Sequence, residues 1–441
     1  MIKEEPFFDN TDTAIIRDEK KCISCGLCRK ICLENNGLGI PCPVKVGAKT
    51  YFRPDEKLHF LDSKCTRCGQ CVMVCPTGAL SEKDDILNVE KLIKDKNKIV
   101  VAQIAPSLRV SLGEAFGQKP GEIMEGQMIS GLKKLGFDFV FDVNLGADFT
   151  TYEEAHDLLN RIKSKKTPLF TSCCPARVKF IEDFHPELIP NITTVRSPQQ
   201  CLAVLIKTYF AKQINKNPKD IAVVSIMPCV AKKFESRREN EDKSGYYDVD
   251  FVLTTREFIK MLKNKKIDIS RLEKTLFDAP LGQASGAGAI YGVTGGVMES
   301  GIRTLAYIAS GQDNPRIDYE EFRGMEGIKK ANIKIGEYNL KIAITAGLRN
   351  ARKLIMDIKK GIEYHYIEVM ACPGGCVGGG GQPKPQDERT INARRKALYE
   401  IDRNLPVRCA HENPVLKKVY KEFLGSAGSE KAIKYLHTKY E

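Results

Sequence analysis

Residues 368–383 read EVMACPGGCVGGGGQP. Cys372 and Cys376 stand four apart, and Gly378 to Gly381 follow them. The run 365–369 is short and apolar enough for a strand, so the cysteines fall where a strand gives way to a loop. Glycine lets backbone approach a bulky inorganic group that side chains would hold off. A phosphate loop would need Gly-Lys-Ser/Thr after the glycines, whereas Gln382-Pro383 follows here. The stretch therefore points to a metal cluster under a glycine cover. The competing reading is a glycine-rich surface turn with two incidental thiols.

At 441 residues the chain has room for two or three domains and a large core. No apolar run approaches the roughly 18 residues of a membrane helix. Residues 1–13 carry no basic start, apolar centre or twin arginine, so no export signal is expected. The 16 cysteines cluster at metal-ligand spacings in a long chain. That excludes a secreted disulfide scaffold and implies a reducing compartment, the cytoplasm. The formal charge of +13 comes from lysines scattered along polar helix faces, with short runs at 163–166 and 394–396. No nucleic-acid module accompanies them. A basic face suits docking of an acidic protein such as a ferredoxin; a merely solvated surface is the plainer reading.

Toward the N-terminal end, Cys22, Cys25, Cys28 and Cys32 follow C-x2-C-x2-C-x3-C. Cys65, Cys68, Cys71 and Cys75 repeat the pattern, and Pro76 follows. This is the bacterial two-cluster ferredoxin spacing, in which the fourth cysteine of each run crosses to the other cluster. One 4Fe-4S cubane is expected on Cys22, Cys25, Cys28 and Cys75, the other on Cys65, Cys68, Cys71 and Cys32. A zinc site would use only four cysteines in two pairs. Leu33 replaces the usual proline after the first run, and the insert between the runs is long. Cys42 within it reads as a non-ligand thiol.

Residues 82–98 are highly charged and helical in pattern, a connector. Beyond them strands are expected at 99–104, 137–143, 168–171, 221–226, 251–254, 342–345 and 366–369. Helices are expected at 122–135, 151–163, 197–215, after 254 to about 262, and at 350–360. This alternation argues for parallel βαβ units, hence an α/β domain built on parallel sheets with helices on both faces, beside an N-terminal α+β ferredoxin-like domain. Three of the strands end in cysteine: TSCCP at 171–175, MPC at 227–229 and MACP at 370–373. Open parallel sheets bind ligands at the carboxyl ends of their strands. Cysteines arriving there from three strands raise the cluster reading well above the incidental-thiol one.

TSCCP at 171–175, MPCVAKKFE at 227–235 and EVMACPGGCVGGGGQP at 368–383 resemble the three signature motifs of iron-only (FeFe) hydrogenases. The tail from about 385, with HENP at 411–414 and a helix at 415–423, resembles that family's small subunit, fused to the large one. The resemblance implies a tail at 1–13, a two-cluster ferredoxin-like domain at 14–82, an active-site domain at 83–385 and a small-subunit-like helical tail at 386–441. It implies an H-cluster: a 4Fe-4S cubane joined to a two-iron subcluster bearing CO, CN and a bridging azadithiolate. The implied cubane ligands are Cys174, Cys229, Cys372 and Cys376, with Cys376 bridging to the two irons. Cys173 would exchange protons with the dithiolate amine. Lys232 would hold one cyanide as a buried cation, and the turn Ala105-Pro106-Ser107 the other through backbone N–H groups. Gln199, Met227, Tyr291 and Met370 would line the subcluster.

Charge chemistry agrees with that assignment. Anionic ligands call for a charge-assisted donor, and Lys232 is three residues past a ligand. A proton acceptor at the metal calls for a nearby general acid, and Cys173 adjoins Cys174. Glu154, Asp157 and Arg161 fall on one face of the helix expected at 151–163. The resemblance implies a relay from Cys173 through Glu154, Thr193 and Asp157 to a surface Arg161. Without it, Asp157 and Arg161 read as an i, i+4 surface ion pair.

The chain departs from the family pattern in three places. Ala176-Arg177 stands where Gly-Trp is usual, Asp157 where glutamate is, and Thr193 where serine is. The sequence thus points to a cytoplasmic, monomeric enzyme of anaerobic hydrogen metabolism, interconverting H2 with protons and electrons. Its implied partners are a ferredoxin or flavodoxin and the maturation proteins of the two-iron unit, with no membrane and no nucleic acid. The competitors are an iron–sulfur electron-transfer or assembly protein of the same build without H2 chemistry, and a hydrogen sensor, which would need a signalling domain. Cys42, Cys201 and Cys409 receive no role. His156 reads as a bystander on the relay helix.

Overall fold

The runs IVVAQI and IAVVSIM are too uniformly apolar for a sheet with one wet face, and they lie side by side in a buried sheet. The computed structural model describes residues 6–54, 59–312, 316–325 and 327–441. Its strands in chain order are β1 Phe8–Asp9, β2 Ile15–Asp18, β3 Pro41–Val46, β4 Lys49–Pro54, β5 Leu80–Glu82, β6 Ile99–Ile104, β7 Phe139–Asp142, β8 Leu169–Phe170, β9 Ile221–Met227, β10 Phe251–Thr254, β11 Ile328–Ile335, β12 Tyr338–Ala346 and β13 Tyr366–Met370.

Two four-stranded sheets build the larger region. One has the order β10-β9-β6-β7 with every pair parallel. The other has the order β11-β12-β13-β8; β12, β13 and β8 are parallel, and β11 closes the edge antiparallel to β12. The α/β architecture on parallel sheets is therefore observed, with one antiparallel strand that the sequence reading lacked. The three cysteine-ending strands do not share one sheet: β9 belongs to the first, β8 and β13 to the second.

Helix Val143–Lys163 ties the two sheets together. Asp142 caps it by accepting from Asn144 N, so it begins eight residues before the start expected at 151. Its first half packs Val143, Leu145 and Phe149 into the core of the β6 sheet. Its second half packs Ala155, Leu158 and Leu159 into a core with β12 and helix Gly296–Ser310. A Cβ on Gly146 would sit 2.2 Å from Pro198 O, so only glycine lets helix Pro198–Leu205 cross this closely. The helix expected at 197–215 is Pro198–Leu205 continued through a π turn, Ile206–Phe210, to Ala211–Gln213.

The smaller region holds the sheet β1-β2-β5, the hairpin β3-β4 and short helices Leu27–Ile31 and Gln70–Val74. Residues 1–5 of the expected tail lie outside the described residues. The rest of that tail is partly built in: β1 pairs with β2, Asp9 and Asp12 are buried, and Asp12 accepts from Arg67 Nε at 2.8 Å. At the other end, residues 436–438 lace onto the segment before Ser197. Arg196 N donates to Leu436 O, Thr438 N to Thr194 O, and Val195 bridges His437. Among the described residues no helix is long and apolar enough to cross a membrane.

Candidate active site

Three separate backbone turns deliver cysteines to one cavity lined from both sheets. Cys173 and Cys174 follow β8, Cys229 follows β9, and Cys372 and Cys376 follow β13. The cavity wall adds Met227 and Met370 at the strand ends, and Gln199, Lys232 and Tyr291 from neighbouring helical turns. Polar atoms are few on it, and each is anchored. Lys232 Nζ donates to Glu235 Oε2 at 2.8 Å and to Cys173 O at 3.2 Å, which leaves the third N–H of an ammonium for the cavity. Glu235 also accepts from Ser197 Oγ at 2.9 Å and Gln199 Nε2 at 3.0 Å. Gln199 Oε1 is buried with no partner among the described residues. Tyr291 OH pairs with Thr151 Oγ1 at 2.7 Å.

The turn after β6 contributes less than its expected role. Ala105 and Pro106 line the cavity, but Ala105 N donates to Ile226 O at 3.0 Å and proline has no N–H. Only Ser107 N, ahead of the first bond of its 3-10 turn, is left to hold an anion. The Ser107 hydroxyl faces Gln382 Nε2 at 3.2 Å.

The glycine run is packed chiefly against protein backbone. A Cβ on Gly379 would lie 2.2 Å from Pro228 O, and one on Gly380 2.4 Å from Cys68 O. Gly381 N donates to Pro228 O at 2.8 Å. The run thus seals the cavity by lying on the loop before Cys229 and on the loop that carries Cys68.

Behind that seal lie two further cysteine cavities. Cys32, Cys65, Cys68 and Cys71 line one; Cys22, Cys25, Cys28 and Cys75 line the other, with Cys25 exposed. Leu33, unlike proline, keeps its N–H, and the helix runs on through a π turn, Cys32–Asn36. Asn36 Nδ2 then reaches Cys68 Sγ at 3.1 Å, and Asn35 Nδ2 reaches Ala371 O at 2.8 Å beside Cys372. None of the sixteen cysteines, all in described residues, forms a disulfide. Cys42 lies on β3 with Arg29 Nη1 at 3.2 Å, and Cys201 is core.

The outer part of the relay set is contiguous. Thr193 Oγ1 donates to Asp157 Oδ2 at 3.0 Å, Arg161 Nε donates to Asp157 Oδ1 at 3.0 Å, and Arg161 Nη1 reaches Pro190 O. The inner part is not: among the described residues Glu154 bonds neither Thr193 nor Cys173. Its Oε1 accepts from Tyr366 OH, and its Oε2 has no partner. Burial pushes its carboxyl up to about 8, and burial likewise pushes the Cys173 thiol up. His156 turns to its own helix, bonding Tyr152 O.

Sequence reasoning missed Glu235, Tyr366 and Glu368. Glu235 carried a signal, three residues beyond Lys232 in one helical turn. Glu368 accepts from Gly295 N and Met298 N at 2.7 Å and so fixes the start of helix Gly296–Ser310; like Tyr366, its partners are remote in sequence.

The donor set fits an anionic iron–sulfur group. Soft thiols converge without carboxylate competition, and a buried ammonium and an amide side chain with an orphaned oxygen line the same space. Known proteins agree. The family described as "Iron only hydrogenase large subunit, C-terminal domain" matches residues 98–380, "Iron hydrogenase small subunit" residues 387–441, and "4Fe-4S binding domain" residues 59–81. NADP-reducing hydrogenase subunit HndD of Solidesulfovibrio fructosivorans is 42% identical over 97% of this chain and 74% of that protein. Iron hydrogenase 1 of Clostridium pasteurianum is 39% identical over 99% of this chain and 77% of its own. A solved variant of [FeFe]-hydrogenase HydA1 from Chlamydomonas reinhardtii superposes with a TM-score of 0.72 at 35% identity, over 81% of this chain and 99% of that one. Cytosolic iron-sulfur assembly component 3 of Bos taurus is also similar, 30% identical over 87% of this chain and 84% of that protein. With its cysteine-lined cavities and its ferredoxin-like N-terminal region, the chain belongs to the iron-only (FeFe) hydrogenase family of oxidoreductases.

Proposed function

We propose that this protein interconverts H2 with two protons and two electrons at an H-cluster seated in the central cavity. The observation that carries the reading is the meeting of five cysteines from three strand ends with one buried lysine in a single cavity. Cys174, Cys229, Cys372 and Cys376 would ligate the cubane, and Cys376 would bridge to the two-iron unit. When bound, this group supplies the electron store and the iron at which the H–H bond is made or broken.

The chain's own residues would manage charge and protons. Lys232 binds one anionic ligand with its remaining N–H, and Ser107 N binds another. Met227, Met370, Gln199 and Tyr291 fix the cavity's shape and exclude bulk water. Cys173 holds a proton at Sγ next to the reacting centre. Between Cys173 and Glu154, and between Glu154 and Thr193, a bridging water carries the proton. From Thr193 it moves to Asp157 and to the surface at Arg161. Electrons from a ferredoxin or flavodoxin would reach the site along the row of cysteine cavities, arriving at exposed Cys25. Such carriers place the enzyme in the cytoplasm.

Reconstitution with iron, sulfide and the two-iron cofactor without oxygen should give H2 turnover. Spectroscopically complete clusters with no turnover would sink the reading. Cys173→Ala should keep its iron and lose at least about a hundredfold in rate; retained rate would show another proton route. The similarity to an iron-sulfur assembly protein supports a second reading, cluster handling without H2 chemistry. An infrared spectrum lacking CO and CN bands after maturation would favour it.

A further inference from the structure

Seven arginines are among the largest fully buried side chains of the protein. Six have a carboxylate within ion-pair distance: Arg53 with Glu19, Arg67 with Asp12, Arg109 with Asp142, Arg196 with Asp248, Arg303 with Asp402 and Arg394 with Glu114, at 2.7 to 2.8 Å. The seventh, Arg177, has none among the described residues. Its Nε, Nη1 and Nη2 are all buried, with no hydrogen-bond partner among those residues. An unpaired guanidinium inside a protein is strongly unfavourable, because desolvation is then offset by nothing. The sequence therefore retains a cation for which the described residues of the folded chain provide no counter-charge.

The position of Arg177 says where that counter-charge belongs. It sits in the first turn of helix Pro175–Phe184, and Arg177 N donates to Cys174 O at 3.1 Å. The groups whose charge bears on the guanidinium are Cys174 foremost, then Cys173, Tyr440 and Glu154. Burial keeps Glu154 and Tyr440 protonated at neutral pH, so neither offers an anion. The remaining candidate is whatever Cys174 ligates. Lys232 does not duplicate the arrangement, since it already has Glu235.

We propose that Arg177 is the buried counter-cation of the cubane held by Cys174 and that it sets the reduction potential of that cubane. The inference rests on the H-cluster reading and extends it to a residue that departs from the family motif. The sign follows from charge. A thiolate-ligated cubane gains one negative charge when it takes up one electron, so a fixed cation favours the reduced form and raises the midpoint. Arg177 acts through the ligand set and not on the substrate, so it is a positioning residue.

The test uses the full chain loaded with iron and sulfide only, as wild type and as Arg177→Met, Arg177→Trp and Arg177→Lys. Redox titration followed by electron paramagnetic resonance reads three cubanes. Arg177→Met and Arg177→Trp should move one midpoint to more negative potential and leave the other two in place. Arg177→Lys should restore most of the shift. In cluster-free protein the sign reverses: Arg177→Met removes an uncompensated cation and should raise the melting temperature. Trp fills the volume should Met fold poorly, and the melting comparison needs no cluster. Three unmoved midpoints, or a cluster-free melting temperature lowered by both Met and Trp, overturn the inference. A wild-type protein showing only two cubane signals overturns the site reading and this inference with it.

Discussion

Glu154 is held by one oxygen and bare at the other, and its chemistry follows from that. Its folded carboxyl titrates near 8, above the usual 4.5. The protonated form is therefore the one folding favours. That contribution is complete below pH 4.5 and lost as pH rises through 8. Glu154→Gln, always neutral, should gain stability over the wild type as pH climbs through this window; a difference flat in pH would show a carboxyl of ordinary affinity. The Tyr366 bond opposes the burial effect on Glu154. Tyr366→Phe should therefore move the alkaline limb of the pH–rate profile to higher pH, and an unmoved limb would remove Tyr366 from the relay's control. The eight N-terminal cysteines were legible from spacing, which is local, and Cys173, Cys174, Cys229, Cys372, Cys376 and Lys232 through the family motifs. Tyr366 was not, because it meets Glu154 from 212 positions away.

At the scale of elements, the glycine run works as a seal between three loops. Gly379→Ala would press a methyl group against Pro228 O, a backbone atom that cannot swing aside. The substitution should cost roughly 1–3 kcal/mol of stability, read by denaturant unfolding. Gly47→Ala, where a Cβ meets nothing within 4 Å, controls for general effects, though its φ of +58° carries a strain of its own. Sequence patterning found β6, β9, β10 and β13 because buried parallel strands are continuous apolar runs. It missed helix Gly296–Ser310, whose first eleven residues are all buried, so that its polar stripe of Glu299, Ser300, Arg303 and Thr304 faces protein and not water. It missed β11 because IKKANIKI is an edge strand with lysines on its wet face.

Across the whole molecule, three cysteine cavities form a row from exposed Cys25 inward, bridged by Asn36 at Cys68 and by Gly380 against the same loop. On the proposed electron route, a positively charged chain should be reduced by an acidic ferredoxin at a rate that falls as salt rises. Stopped-flow reduction at several ionic strengths reads this directly, and a salt-independent rate would place docking on uncharged contacts. Which cysteines line each cavity followed from spacing and family motifs, whereas the division of the cysteine-bearing strands between two sheets did not. That division depends on which strands pair, and pairing is decided by contacts far apart in the chain. The lacing of residues 436–438 onto 194–196 adds a matter of timing. These segments meet across some 240 positions, since Thr194 and His437 are 243 apart. At about 5–20 residues per second, a ribosome would complete the second roughly ten to fifty seconds after the first. For that interval the nascent chain holds Thr193 and Ser197 in a segment without its clasp, and the proposed proton route and the Gln199 wall take their final form only once residues 436–438 have emerged.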